Sequence, residues 1–113
     1  MHELGMAQEI LNIVTQTLSA HPGKKLLSVN VRIGEMNAVV PELLDTAYQG
    51  LVRDTPLQYS KIIIQNVPVM GTCLDCRAEI TPKTFVYACP QCGSVNIKIT
   101  QGDELYIQDL EVE

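Results

Sequence analysis

Four cysteines in two closely spaced pairs constrain this 113-residue chain more than any other feature. Cys73 and Cys76 form the first pair and Cys89 and Cys92 the second, with two residues between the cysteines of each pair. This spacing lets both thiolates of a pair reach one ion while the backbone turns beneath them. Four thiolates suit the tetrahedral, sulfur-rich coordination of zinc and leave no open position for water. The cysteines therefore predict a structural zinc site.

Three other interpretations use the same four cysteines. Two disulfides would suit a secreted chain, but the start at Met1, His2 and Glu3 lacks the basic and apolar regions of a signal peptide. Iron has the same ligand set, so the spacing alone leaves iron or redox chemistry open. A ribbon that binds nucleic acid needs a basic face, whereas this chain has a formal charge of −5. We expect a cytoplasmic protein without a nucleic-acid or membrane partner.

Hydrophobic periodicity predicts two helices and three strands around the cysteine segment. One helix covers about residues 4–20 and a second starts at Pro41, while strands are expected at about 27–33, 59–67 and 104–110. The face of the first helix is expected to consist of Leu4, Ala7, Ile10, Leu11, Val14 and Leu18. The pattern predicts an α+β fold, in which two helices cover a small three-stranded mixed sheet. Because a helix links the first two strands, we expect those strands to be parallel.

The cysteine segment, residues 69–96, is predicted to be a zinc-ribbon module inserted into this fold. Residues 1–68 and 97–113 are predicted to form the α/β domain that surrounds it. A module this small cannot bury a core of its own, so metal binding should supply most of its folding energy. Its expected apolar support is Val69, Val86, Tyr87 and Val95.

A histidine directly after the initiator methionine suggests a second metal site. The α-amino nitrogen, the His2 amide and the His2 imidazole can close two chelate rings around one ion. The Glu3 amide or the Glu3 carboxylate is available as a fourth donor. Nitrogen donors in a plane are typical of Ni(II) or Cu(II) sites. From the residues alone, the simpler interpretation is a frayed terminus with an exposed histidine.

Several motifs occur together and in a characteristic order. They are Met1-His2-Glu3-Leu4, Arg32-Ile33-Gly34-Glu35, Pro41-Glu42-Leu43-Leu44, the two cysteine arms with Cys89-Pro90-Gln91-Cys92-Gly93, and the acidic run Gly102-Asp103-Glu104-Leu105. In this combination the whole chain resembles the HypA/HybF family, whose members are accessory proteins in the maturation of nickel-iron hydrogenase.

The resemblance implies a nickel metallochaperone without a catalytic centre. It implies a nickel site at Met1, His2 and Glu3, and a structural zinc site at the four cysteines. It also implies two partners, the GTPase HypB and the precursor of the hydrogenase large subunit, to which Ni(II) would be delivered. The alternative is a zinc-ribbon adaptor or a nucleic-acid- or protein-binding regulator without a nickel function.

Overall fold

The computed structural model describes residues 2–82 and 87–113 and contains the two predicted helices. Helix α1 spans His2–Ser19 and helix α2 spans Pro41–Val52. Proline suits the first turn of α2 because the N–H that it lacks would have no partner within the helix. The two helices pack against each other. In the described ranges, no helix combines the length and apolar character needed to cross a membrane.

Within residues 2–82 and 87–113, six strands form two sheets. They are β1 Leu26–Gly34, β2 Lys61–Val67, β3 Met70–Cys73, β4 Glu79–Ile80, β5 Ile97–Gln101 and β6 Leu105–Val112. The strand order is β2-β1-β6 in the first sheet and β4-β3-β5 in the second. A short 3₁₀ helix, Glu35–Asn37, follows β1.

The first sheet is the mixed sheet predicted from the sequence. Strands β1 and β6 are antiparallel, since Lys25 and Glu113 exchange N–H···O bonds of 3.0 and 2.9 Å at their ends. Helix α2 connects β1 to β2, which is the kind of connection that a parallel pair requires. The predicted fold class, two helices with a small mixed sheet, is confirmed.

The second sheet was not predicted. Strand β3 pairs antiparallel with β4 and with β5, and the pairing with β5 is irregular between Met70 and Gly71. These strands have four, two and five residues. Such short segments give too few alternating positions for a period of two to be recognised.

The chain divides into two compact units. The first consists of Met1–Arg32, Val39–Gln65 and Tyr106–Glu113, and the second of Ile33–Ala38 and Asn66–Leu105. The module proposed for residues 69–96 falls within the second unit, which also contains β5.

The core of the first unit joins residues of both helices to residues of the sheet. Its buried apolar side chains are Ala7, Ile10, Val14, Leu26, Val29, Val31, Leu44, Tyr48, Val52 and Ile62. Within it, the hydroxyl groups of Tyr48 and Ser60 lie 2.5 Å apart, and Ser60 donates to the carbonyl of Leu57 at 2.6 Å. These bonds pair the polar atoms that the core would otherwise bury alone.

Helix α1 is rotated relative to the prediction. Its buried residues are Glu3, Ala7, Ile10 and Val14, whereas Leu4 is 39% exposed and Leu11 and Leu18 are half-buried. A carboxylate thus occupies a core-facing position that the apolar pattern had assigned to Leu4. The first turn of α1 is therefore arranged around Glu3.

In the second unit, the backbone passes very close to itself at Gly34. Its N–H donates to the carbonyl of Glu104 at 2.7 Å, and the amide of Asn37 donates to the same carbonyl at 2.8 Å. A Cβ at Gly34 would lie 2.0 Å from the carbonyl oxygen of Gly102. Only glycine leaves room for this approach.

Candidate metal sites

The first cysteine arm is a tight turn at the end of β3. The N–H of Cys73 donates to the carbonyl of Ala78 at 2.9 Å, and the carbonyl of Cys73 accepts from the N–H of Arg77 at 2.8 Å. Arg77 has a φ of 64°, in the left-handed region that few side chains adopt. The turn returns the chain so that Cys73 and Cys76 present their sulfurs together.

The second arm repeats the same turn. The N–H of Cys89 donates to the carbonyl of Ser94, and the N–H of Gly93 donates to the carbonyl of Cys89, both at 2.8 Å. Gly93, at the position equivalent to Arg77, has a φ of 75°. Because both arms use the same bonds at the same offsets, the Cys-x2-Cys spacing encodes a specific local structure.

The two arms bring their four sulfurs into one cluster. All four Sγ atoms lie within 4.8 Å of one another, and the Cys73–Cys92 and Cys76–Cys89 pairs are both separated by 3.5 Å. A tetrahedral zinc site with Zn–S bonds of about 2.3 Å has sulfur–sulfur edges of about 3.8 Å. The four cysteines are free thiols. Their arrangement fits a four-thiolate metal ion.

The electrostatics of the cluster also favour a cation. The backbone N–H of Cys76, helped by that of Asp75, lowers the pKa of Cys73 to about 7. The N–H of Cys92 lowers the pKa of Cys89 in the same way. Each arm thus stabilises the thiolate of its first cysteine.

The second cysteine of each arm behaves in the opposite way. At Cys76 the N–H of Ala78 lowers the pKa, but the neighbouring sulfurs and burial outweigh it and the net shift is upward. At Cys92 the N–H of Ser94 is outweighed likewise, and the pKa rises to about 12. Hydrogen bonds to the neighbouring sulfurs favour the protonated forms of Cys76 and Cys92, and a divalent cation at the centre would favour the thiolates instead.

Apolar packing around the cluster is small and differs from the prediction. Cys73, Ile80 and Cys89 are buried together, with Ala78 and Ile97 against them. Of the expected supporting residues, Val69 is buried and Tyr87 is half-buried, Val95 is 80% exposed, and Val86 lies outside the described residues. The apolar support comes instead from Ile80 of β4 and Ile97 of β5, two strands that the sequence did not predict.

At the amino terminus, the predicted site is described in part. Met1 lies outside the described residues, while His2 begins α1 with its side chain 54% exposed. The Glu3 carboxylate lies 3.5 Å from Nε2 of His2 and is itself buried. An accessible imidazole therefore lies beside a carboxylate that is fixed in place.

The anchor of Glu3 is the backbone of Val40, which the sequence did not reveal. The N–H of Val40 donates to Oε2 of Glu3 at 3.2 Å, and Val40 caps the amino end of α2. This N–H, followed by that of Glu3 itself, lowers the pKa of the Glu3 carboxyl against the opposing effect of burial. The free N–H groups at the start of a helix attract a carboxylate, so the predicted start of α2 was the available signal.

Comparison with known proteins identifies the family of the chain. Residues 1–112 match the model of a family described as hydrogenase/urease nickel incorporation, metallochaperone, HypA. The chain is 33% identical over 113 residues to hydrogenase maturation factor HypA of Geotalea uraniireducens and 38% identical over 117 residues to that of Solidesulfovibrio magneticus, with all of both chains covered in each case.

Two solved structures have a similar fold. The solution structure of a HypA protein has a TM-score of 0.71 at 26% identity, covering all of this chain and 97% of that one. The solution structure of the Ni metallochaperone HypA from Helicobacter pylori has a TM-score of 0.64 at 24% identity, covering 96% and 95% of the two chains.

Proposed function

Since the chain belongs to the HypA family of nickel-incorporation metallochaperones, we propose that it binds Ni(II) at its amino terminus and delivers it to nickel-iron hydrogenase under assembly. Met1, His2 and Glu3 form the proposed nickel site. The protein has no catalytic centre in this proposal, because nickel is its cargo. The relatives named as hydrogenase maturation factors favour hydrogenase as the acceptor.

The observation that carries the nickel proposal is the pairing of His2 with Glu3. The imidazole is exposed, and the adjacent carboxylate is held 3.5 Å from it by the N–H of Val40. The α-amino group, the His2 amide and the imidazole supply nitrogen donors that suit Ni(II). The Glu3 carboxylate adds a negative charge beside the ion. Because the N–H of Val40 already holds the Glu3 carboxylate in place, nickel binding does not have to restrict this side chain further.

The four cysteines hold Zn(II) in the same proposal. When bound, zinc supplies the positive charge that allows all four thiols to ionise. Cys73, Cys76, Cys89 and Cys92 fill every position of a tetrahedral ion, so zinc has a structural role. Metal analysis of purified protein should give one zinc per chain, and a variant with Cys92 replaced by serine should lose it.

The proposed partners follow from the delivery function. A GTPase of the HypB type would supply or accept nickel, and the precursor of the hydrogenase large subunit would receive it. We place these exchanges in the cytoplasm, where unpaired cysteines persist. Transfer of nickel from the loaded chain to the purified precursor, with and without HypB, tests delivery directly.

Calorimetric titration of Ni(II) into the zinc-loaded chain with its native terminus tests the binding site. Binding of one nickel per chain is expected, and His2→Ala should abolish it. His21→Ala is the matched control, because it removes the other histidine of the chain and should bind nickel normally. An extra residue before Met1 should also weaken binding by displacing the α-amino group.

Equal nickel binding by the native chain and His2→Ala would refute the terminal site. The zinc-ribbon adaptor would then be the better interpretation of the cysteine module. A parallel titration with Cu(II) addresses selectivity, since copper generally binds nitrogen donors more tightly than nickel does.

A further inference from the structure

A second set of contacts joins the two cysteine arms outside the sulfur cluster. The hydroxyl of Ser94 donates to the carboxylate of Asp75, and its oxygen accepts from the N–H of Asn96 at 3.0 Å. The N–H of Leu74 donates to the carbonyl of Asn96 at 2.9 Å. Asp75 and Leu74 belong to the first arm, whereas Ser94 and Asn96 follow the second. The four residues close a ring of bonds from one arm to the other.

This ring differs in kind from the bonds inside each arm. The turn bonds of Cys73 with Arg77 and of Cys89 with Gly93 fix each arm separately and do not hold one arm against the other. Within the described residues, the bond between Ser94 and Asp75 is the side-chain hydrogen bond that joins the segment after the second arm to the interior of the first. Its backbone also contacts the cluster, since its N–H points at the sulfur of Cys92.

We propose that Asp75 and Ser94 form a clamp across the arms, which keeps the four cysteines assembled and slows the release of zinc. Neither side chain is a metal ligand, and both are positioning residues. With the clamp closed, loss of one sulfur–metal bond leaves the two arms adjacent, so the bond re-forms before the ion escapes. Without it, the arms separate more readily once a bond has broken.

The expected size of the effect follows from the chemistry of the bond. A hydroxyl that donates to an ionised carboxylate makes a stronger bond than two neutral groups do, but exposure to water reduces its net value. We therefore expect removal of the clamp to accelerate zinc release about 3- to 10-fold, at or below the lower end of the effects known for residues that support metal ligands. The sulfur ligands themselves should be unchanged.

The test is the rate at which the zinc-loaded full chain gives up zinc to an excess of a chromophoric chelator, followed by stopped-flow absorbance. Ser94→Ala and Asp75→Ala should each release zinc about 3- to 10-fold faster. The double variant should release zinc no faster than Ser94→Ala, because Ser94→Ala already removes the bond to Asp75 as well as the bond from Asn96. Ser94→Thr retains the hydroxyl and should restore a rate near that of the native chain. The charge-transfer spectrum of the Co(II)-substituted protein should show four sulfur ligands throughout.

Two further variants separate the bond from the charge. Asp75→Asn loses the charge but keeps an oxygen that accepts from Ser94. It should therefore release zinc more slowly than Asp75→Ala. Glu79→Gln removes an exposed carboxylate of β4 and should match the native chain. The clamp would be refuted if Ser94→Ala and Asp75→Ala both released zinc at the native rate, or if their effects on the rate multiplied in the double variant. Either result would leave the proposed zinc site intact. Because the clamp rests on the proposed zinc occupancy, purified protein without zinc would overturn both proposals.

Discussion

Arg77→Gly should raise the affinity for zinc, and Gly93→Ala should lower it, because the two residues occupy equivalent positions in the two cysteine turns. Arg77 and Gly93 occupy the same place in their arms, with φ values of 64° and 75°. A non-glycine residue pays about 1–2 kcal/mol for the left-handed conformation. Glycine pays no such strain but loses about 0.5–1 kcal/mol more backbone entropy on folding. Arg77→Gly should therefore stabilise its arm, and Gly93→Ala should destabilise its own.

The magnitudes follow from these two opposing terms. A Cβ at Gly93 would meet nothing within 4 Å, so Gly93→Ala should cost only the backbone strain, a net loss of about 1 kcal/mol. Arg77→Gly should gain about 0.5–1 kcal/mol by the same reasoning. Since metal binding supplies the folding energy of a small ribbon, the two variants should differ roughly 10- to 30-fold in apparent zinc affinity.

Competition between the protein and a chelator of known zinc affinity measures this difference. Arg77→Ala is the matched control, because it removes the guanidinium but keeps a strained non-glycine backbone. It should lie below Arg77→Gly in affinity by about 1 kcal/mol. Equal affinities for Arg77→Gly and Arg77→Ala, or shifts of Arg77→Gly and Gly93→Ala in the same direction, would refute the backbone argument.

Two other predictions concern folding and pH. Gly34→Ala should lower the free energy of unfolding, measured by urea titration, by more than about 3 kcal/mol. The reason is that its Cβ would lie 2.0 Å from a backbone oxygen. Gly50→Ala in α2 is the control: a Cβ there meets nothing within 4 Å, so this variant should be about 0.5–1 kcal/mol more stable than the native chain. The lowered pKa of Glu3 means that its ionised form stabilises the fold above the ordinary value of 4.5 and that this contribution is lost as the pH falls below it. The free energies of unfolding of the native chain and of Glu3→Gln, measured in urea, should therefore become equal as the pH is lowered. The exposed control Glu9→Gln should have the stability of the native chain at every pH. A difference between the native chain and Glu3→Gln that does not change with pH would contradict the assignment.

The features that could be predicted from sequence are those encoded over short distances. The Cys-x2-Cys spacing sets a local turn, and the start of α2 at Pro41 depends on the chemistry of a single residue. The two helices, β1, β2 and β6 have enough residues for their periodicity to be visible. The motifs that resemble the HypA/HybF family added the functional hypothesis, which neither periodicity nor spacing contains.

The features that were missed depend on contacts between distant residues. Glu3 and Val40 are far apart in the chain, so no pattern within α1 shows why a carboxylate is buried there. The same contact accompanies the rotation of α1, in which Glu3 is buried and its carboxylate accepts from the N–H of Val40. Strands β3 and β5 are visible only through their pairing. Ile97 in β5 supports the cysteine cluster for that reason, although the sequence pattern favoured Val95.

A resident metal and a metal cargo need different surroundings, and the two proposed sites differ in this respect. Cys73 and Cys89 are almost fully buried, and each cysteine arm is closed by its own backbone bonds. His2 is 54% exposed at the first residue of a helix, where backbone N–H groups have no partner within the helix. An acceptor that takes an ion from the cysteines has to reach the buried sulfurs of Cys73 and Cys89, whereas the imidazole of His2 is exposed. The terminal site therefore suits transfer of nickel, and the cysteine cluster suits retention of zinc.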